Sequence, residues 1–106
     1  MIIASVRFRL RPGTTLEELV KAFEASSPKY RNVPGLITKH YVFGNGQGGG
    51  IYVWESRELA EHLYTPQWKA LITERYGAAP EIEWLENPVT VDNVTGRILV
   101  DAASAA

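Results

Sequence analysis

The chain has 106 residues, with 11 Lys and Arg against 12 Asp and Glu, and it contains no Cys. That length suits one domain with an ordinary core, and the missing thiols exclude disulfides, thiolate metal centres and cysteine nucleophiles. A formal net charge of -1, with both signs interspersed, leaves no electrostatic footprint for nucleic acid or an anionic membrane surface.

Residues 2–10 alternate, with Ile2, Ala4, Val6, Phe8 and Leu10 on one face and Ser5, Arg7 and Arg9 on the other, which predicts a strand. Pro12-Gly13 ends it. Thr14-Thr15-Leu16-Glu17 has the form of a capping box, and Leu16, Leu19, Val20 and Phe23 follow at helical spacing, so a helix is expected over 15–27. Pro28 and Asn32-Val33-Pro34-Gly35 break the chain. A second strand is expected over 36–43, a glycine-rich flexible turn over 44–50, and a third strand over Ile51-Tyr52-Val53-Trp54. Ser56 is the predicted N-cap of a helix over 57–75, with a kink or restart at Pro66 and Gly77 closing it. A fourth strand covers 81–86, and Pro88 to Asn93 adds a short extended piece. Residues 1–100 then form a single domain, and 101–106 are expected to fray.

The order β-α-β-β-α-β is the α+β, ferredoxin-like arrangement, with both helices on one face of an antiparallel sheet. The other face is not polar. Ile51 to Trp54 is apolar on both sides, and the second strand carries Ile37, Tyr41 and Phe43 on one side and Leu36 and Val42 on the other. A second copy packed sheet against sheet would cover such a patch, with Arg7 and Arg9 beside Glu81 and Glu83 as paired charges. A homodimer enclosing a small apolar pocket is therefore expected.

The tract 44–50 is not a phosphate loop, because no Lys-Ser/Thr and no helix follow it. The only histidines, His40 on a strand and His62 on a helix, have no ligand spacing around them, so no metal is expected. A haem on one histidine is conceivable, but no cofactor is expected. His62 lies in Glu61-His62-Leu63-Tyr64-Thr65-Pro66-Gln67-Trp68 and is the candidate catalytic base, since neutral imidazole accepts a proton near neutrality. Read blandly, His62 is a helix residue without a task and His40 a satisfied core or interface histidine. Tyr41, Tyr52, Trp54, Tyr64, Trp68 and Tyr76 are the candidate substrate-binding residues, suited to stacking on a flat aromatic ligand if they are more than core.

Pro34-Gly35-Leu36-Ile37-Thr38-Lys39, Gly49-Gly50-Ile51-Tyr52-Val53-Trp54-Glu55-Ser56, Tyr64-Thr65-Pro66-Gln67-Trp68 and Pro88-Val89-Thr90-Val91-Asp92-Asn93 carry a resemblance over nearly the whole chain. They resemble a mono-oxygenase family of the dimeric α+β barrel superfamily, kin to antibiotic biosynthesis monooxygenases. The resemblance implies a homodimeric barrel and a cofactor-independent monooxygenase that oxidises a phenol or hydroquinone with O₂. Such chemistry asks for a base, orientation and a dry cavity. It leaves open a non-catalytic small-molecule-binding or stress-related barrel, or a cyclase or isomerase. Polyketide cyclases of the superfamily use a Tyr and a His on the second helix. Those positions fall here on His62 and Trp68, so that dyad is not reproduced. The expected location is the cytoplasm, because no apolar run could span a bilayer and Met1 to Arg7 lacks a signal-peptide layout.

Overall fold

Period-two burial runs the length of the first strand, β1, Ile2–Arg9: Ala4, Val6 and Phe8 are buried while the residues between them are partly open. The computed structural model describes residues 1–101, so 102–106 of the expected frayed tail lie outside the described residues. After β1 come α1 (Leu16–Ser26), a 3-10 turn (Ser27–Tyr30), β2 (Leu36–Gly44), β3 (Gln47–Trp54), α2 (Arg57–Glu61), α3 (Pro66–Tyr76), β4 (Glu81–Glu86), β5 (Val89–Asp92) and β6 (Arg97–Val100). The main sheet is antiparallel in the order β2-β3-β1-β4, which is the ferredoxin-like α+β arrangement.

The core lies between this sheet and the helices, in two clusters. Ala4, Val6, Tyr52 and Trp54 pack with Ala60, Tyr64 and Trp68, while Phe8 and Leu10 pack with Leu19 and Tyr76. Full burial of Trp54 or Val6 contributes about 1.5–3 kcal/mol each. The opposite face carries Ile3, Ile51, Val53 and Val42, all half-buried within one chain, and the exposed Leu85. Along it Arg7 stands opposite Glu81, but Glu83 pairs with Ser5 rather than Arg9, because β4 begins at Glu81.

Several expectations shift on local chemistry. The capping box is one residue later than expected: Thr15 caps Glu18 and Glu18 answers, while Thr14 Oγ1 donates instead to the Arg11 carbonyl. Of the two outcomes expected at Pro66 the chain takes the restart: Pro66 opens α3 at a position that needs no amide, with Thr65 as its N-cap. Gly77 closes α3 in the left-handed conformation at φ 92°.

The glycine tract is not a turn over 44–50. Asn45 and Gly46 make the turn with positive φ, and Gly48, Gly49 and Gly50 are buried strand residues opposite Phe8, Arg7 and Val6. A Cβ on Gly49 would come within 1.8 Å of the Val6 carbonyl oxygen, so the strands approach closely there only because the side chain is missing. The register of β2 against β3 slips between Leu36 and Thr38. Through this bulge Leu36 joins the helix-facing side with Lys39 and Tyr41, and strict alternation across 36–43 fails. The extended piece after Pro88 pairs with a further strand into a β5–β6 hairpin.

Candidate functional site

The Nζ of Lys39 lies in a cage of aromatic rings at the centre of the helix-facing side. It is 3.3 Å from the ring centroid of Tyr30, 3.9 Å from that of Tyr41 and 4.7 Å from that of Tyr52. Three elements build the cage. The 3-10 turn delivers Tyr30, whose hydroxyl accepts from Trp68 Nε1 of α3 at 3.1 Å. β2 delivers Lys39 and, two residues on, Tyr41, whose hydroxyl is 2.8 Å from Ser26 Oγ at the end of α1. β3 delivers Tyr52 from the position paired with Lys39. Gly50 leaves the space these groups fill, since a Cβ there would meet the Tyr52 ring at 2.9 Å and the Lys39 stem at 3.2 Å.

Burial pushes the Lys39 ammonium down to about 6, so the amine is mostly neutral at pH 7. The ring faces work the other way, since each attracts the charged form. The phenols are held neutral: burial raises Tyr52 and Tyr64 well above the usual range and raises Tyr41 and Tyr76 less, with the Ser26 hydroxyl partly offsetting the shift at Tyr41.

Two spaces meet at this amine. A narrow inner one of about 40 Å³ lies between sheet and helices, walled by Phe8, Phe23, Tyr52, Trp68 and Tyr76 among others. It is wide enough for a water or a diatomic molecule and too small for an aromatic ring. An open groove of about 700 Å³ runs outward along β2 and the 3-10 turn, past Arg31, Asn32, Thr38 and His40. Its size falls in the range of small-molecule sites. Tyr30, Lys39 and Tyr41 line both. Every charged or imidazole side chain on either wall is basic, namely Lys29, Arg31, Lys39, His40 and Arg75. In a chain of net charge -1 that is a local concentration of positive potential.

Of the residues expected to form the site, Tyr41, Tyr52, Trp68 and Tyr76 come together around the inner space. Trp54 and Tyr64 lie in the core and line neither space; Trp54 Nε1 donates to the Tyr64 hydroxyl at 3.1 Å. His62 is exposed at the C-cap of α2 and lines neither space, whereas His40, also exposed, borders the groove. Sequence reasoning missed Lys39 and Tyr30. The signal for Lys39 was present, as a lone cation alternating with Ile37, Tyr41 and Phe43. No group of acidic, His or Cys side chains that could hold a metal ion occurs among the described residues. No helix among them is long and apolar enough to cross a membrane.

No known sequence family and no curated protein matches this chain. Solved structures match its fold. A variant of MhuD with two manganese protoporphyrin IX molecules bound per active site is 20% identical, covers 88% of this chain and 100% of its own, and superposes with TM-score 0.65. SnoaB, a cofactor-independent oxygenase from Streptomyces nogalater, is 14% identical over 87% of this chain and 97% of its own, with TM-score 0.62. An antibiotic biosynthesis monooxygenase is 14% identical over 82% and 98%, with TM-score 0.61. The chain therefore has the fold of the antibiotic biosynthesis monooxygenase-like proteins.

Proposed function

We propose that this protein is a cofactor-independent monooxygenase of small phenols or hydroquinones, working as a cytoplasmic homodimer. The observation that carries this reading is an amine held among aromatic rings, at the meeting point of a ligand-sized groove and a small inner space. The likeness of fold to SnoaB supports it as analogy. A phenol that loses its proton becomes an electron donor to O₂. One electron passes to O₂, and the phenoxyl radical and superoxide combine at an ortho or para carbon that bears hydrogen. The resulting hydroperoxide loses water, with its C–H hydrogen and terminal hydroxyl leaving, so that phenol and O₂ give quinone and water. The protein's share is to deprotonate, orient and exclude solvent.

Tyr41, Tyr52, Trp68 and Tyr76 would hold the substrate ring or the space beside it, with Trp54 and Tyr64 backing them from the core. His62 as base would have to act from the open end of α2, so its removal is a direct test. Oxygen uptake with a panel of hydroquinones and naphthols is expected to exceed the buffer rate; uptake at the buffer rate throughout, from pH 6 to 9, defeats the reading. A His62→Ala variant that retains the wild-type rate removes that residue from the mechanism.

Porphyrin binding is a second reading. His40 borders the basic groove, and MhuD shares the fold and binds a porphyrin that carries two carboxylates. A haem titration distinguishes it: a shifted Soret band that is lost in His40→Ala supports this reading, and no shift removes it.

A further inference from the structure

We infer that the groove beside β2 takes a hydroxyaromatic that carries its own carboxylate, with Lys39 accepting the phenolic proton and Arg31 meeting the carboxylate. The inference rests on the oxygenase reading for the fate of the phenolate, but its binding and proton-transfer steps stand apart from it. Lys39 is the one basic amine bordering both spaces, and its nitrogen lies against three ring faces within 4.7 Å. Those faces do little for a neutral amine and offset part of the cost that burial places on the ammonium as it forms. The cage is thus complementary to the protonated product of base catalysis rather than to the resting amine. The step breaks the phenol O–H bond and forms the third N–H bond of Lys39, leaving phenolate and ammonium as an ion pair. When O₂ has added to the ring, the ammonium returns that proton to the peroxide.

The groups facing Lys39 decide which phenols enter. Tyr30 of the 3-10 turn, Tyr41 of β2 and Tyr52 of β3 face it directly, while Lys29, Arg31, His40, Arg75 and Tyr76 line the two spaces it borders. None is a carboxylate, so nothing in the walls neutralises the basic groups. An aromatic carboxylate supplies the missing charge, and a second cation would be repelled. Desolvation keeps the empty site's amine unprotonated above a pH of about 6, and the arriving phenolate restores part of the basicity that burial removed.

The test uses two chromogenic probes that turn yellow on ionisation well above neutrality, 3-hydroxy-5-nitrobenzoate and its uncarboxylated analogue 3-nitrophenol. They are mixed with the full chain at pH 7, where the free probes are mostly colourless and burial keeps the unoccupied Lys39 amine mostly neutral. The carboxylated probe should bind roughly fivefold more tightly than 3-nitrophenol, and Arg31→Ala should erase that difference. The bound probe should be yellow in the wild type and colourless in Lys39→Met, which keeps the length of the side chain and removes the base. Circular dichroism establishes that the variant is folded; should it not fold, Lys39→Gln replaces it. Equal yellowing in the Lys39 variant, colourless binding to the wild type, or no binding of either probe overturns the inference. Yellow binding without oxygen uptake upholds Lys39 and refutes the oxygenase reading. Oxygen uptake unchanged in Lys39→Met does the reverse.

Discussion

Lys39 makes the stability of the folded chain depend on pH, and the sign follows from its burial. Below a pH of about 6 both folded and unfolded chains carry the proton. Between there and about 10 only the unfolded chain does, so stability should rise with pH across that window. Above about 10 the slope should reverse. Tyr52 and Tyr64, raised by burial, stay protonated in the folded chain while the unfolded chain ionises. Urea denaturation at pH 6, 8, 9.5 and 11 reads the curve. Lys39→Met should flatten the rising limb and add about 2 kcal/mol at pH 7, less than the full shift implies because the rings retain some affinity for the charge. A rising limb unchanged in the variant would show that Lys39 is not its source. The aromatic members of the site were legible as residue types, since Tyr41, Tyr52 and Trp68 have apolar bodies and polar tips that seek partners. Lys39 was less legible, because a cation on a strand ordinarily marks a solvent-facing position. The rings that cage it come from segments up to 22 positions apart, Tyr30 to Tyr52.

At the scale of single elements, caps and strand contacts give sharp contrasts. Thr15→Ala removes the acceptor for the Glu18 amide and should cost about 1 kcal/mol, whereas Glu17→Ala, outside the reciprocal pair, should cost little. Gly49→Ala drives a methyl group into the Val6 carbonyl and should destabilise by more than about 3 kcal/mol. Gly44→Ala, with nothing within 4 Å of the added carbon, should be nearly silent. Thermal melts of the two alanine variants side by side test that reading of the tract. The sequence pattern carried β1, α1, β4 and the Ser56 and Gly77 caps, because each is local: alternation, helical spacing, or one side chain beside its own backbone. It failed at Gly48 to Gly50 and at the bulge between Leu36 and Thr38, where the neighbouring strand decides the conformation. Three glycines in a row read as a turn when their partner is unknown. Beside Phe8 and Val6 they are the residues that let two strands close without collision.

On the scale of the whole molecule, the β5–β6 hairpin is the least accommodated part of one chain. Val91, Val94, Ile98 and Val100 are 64, 96, 68 and 73% exposed, which favours a second copy over this hairpin or over the half-buried face of Ile3, Ile51 and Val53. Sedimentation at micromolar concentration should give twice the chain mass, and charged substitutions at Ile51 and Val53 should return it to one chain; a single-chain mass for the unmodified protein would sink the pairing. The Met1 amine and the Asp101 carboxylate form an ion pair that ties the end of the hairpin to the start of β1, and the Asp101 amide donates to the Pro88 carbonyl at 2.8 Å. An N-terminal extension should therefore lower amide-exchange protection in β5 and β6 more than in β1 to β4.

Alternation, helical spacing and capping residues were enough to determine an α+β fold of β-α-β-β-α-β order in its main sheet and helices, with an apolar excess on that sheet, since these depend on neighbours in the chain. Which residues share a cavity was decided only in three dimensions. The bulge in β2 changes which side chains face inward, the strand glycines make room, and His62 falls at an exposed helix end while Lys39 is drawn among the rings. A residue's chemistry here is set by burial and by partners distant in sequence, and linear spacing does not carry that information.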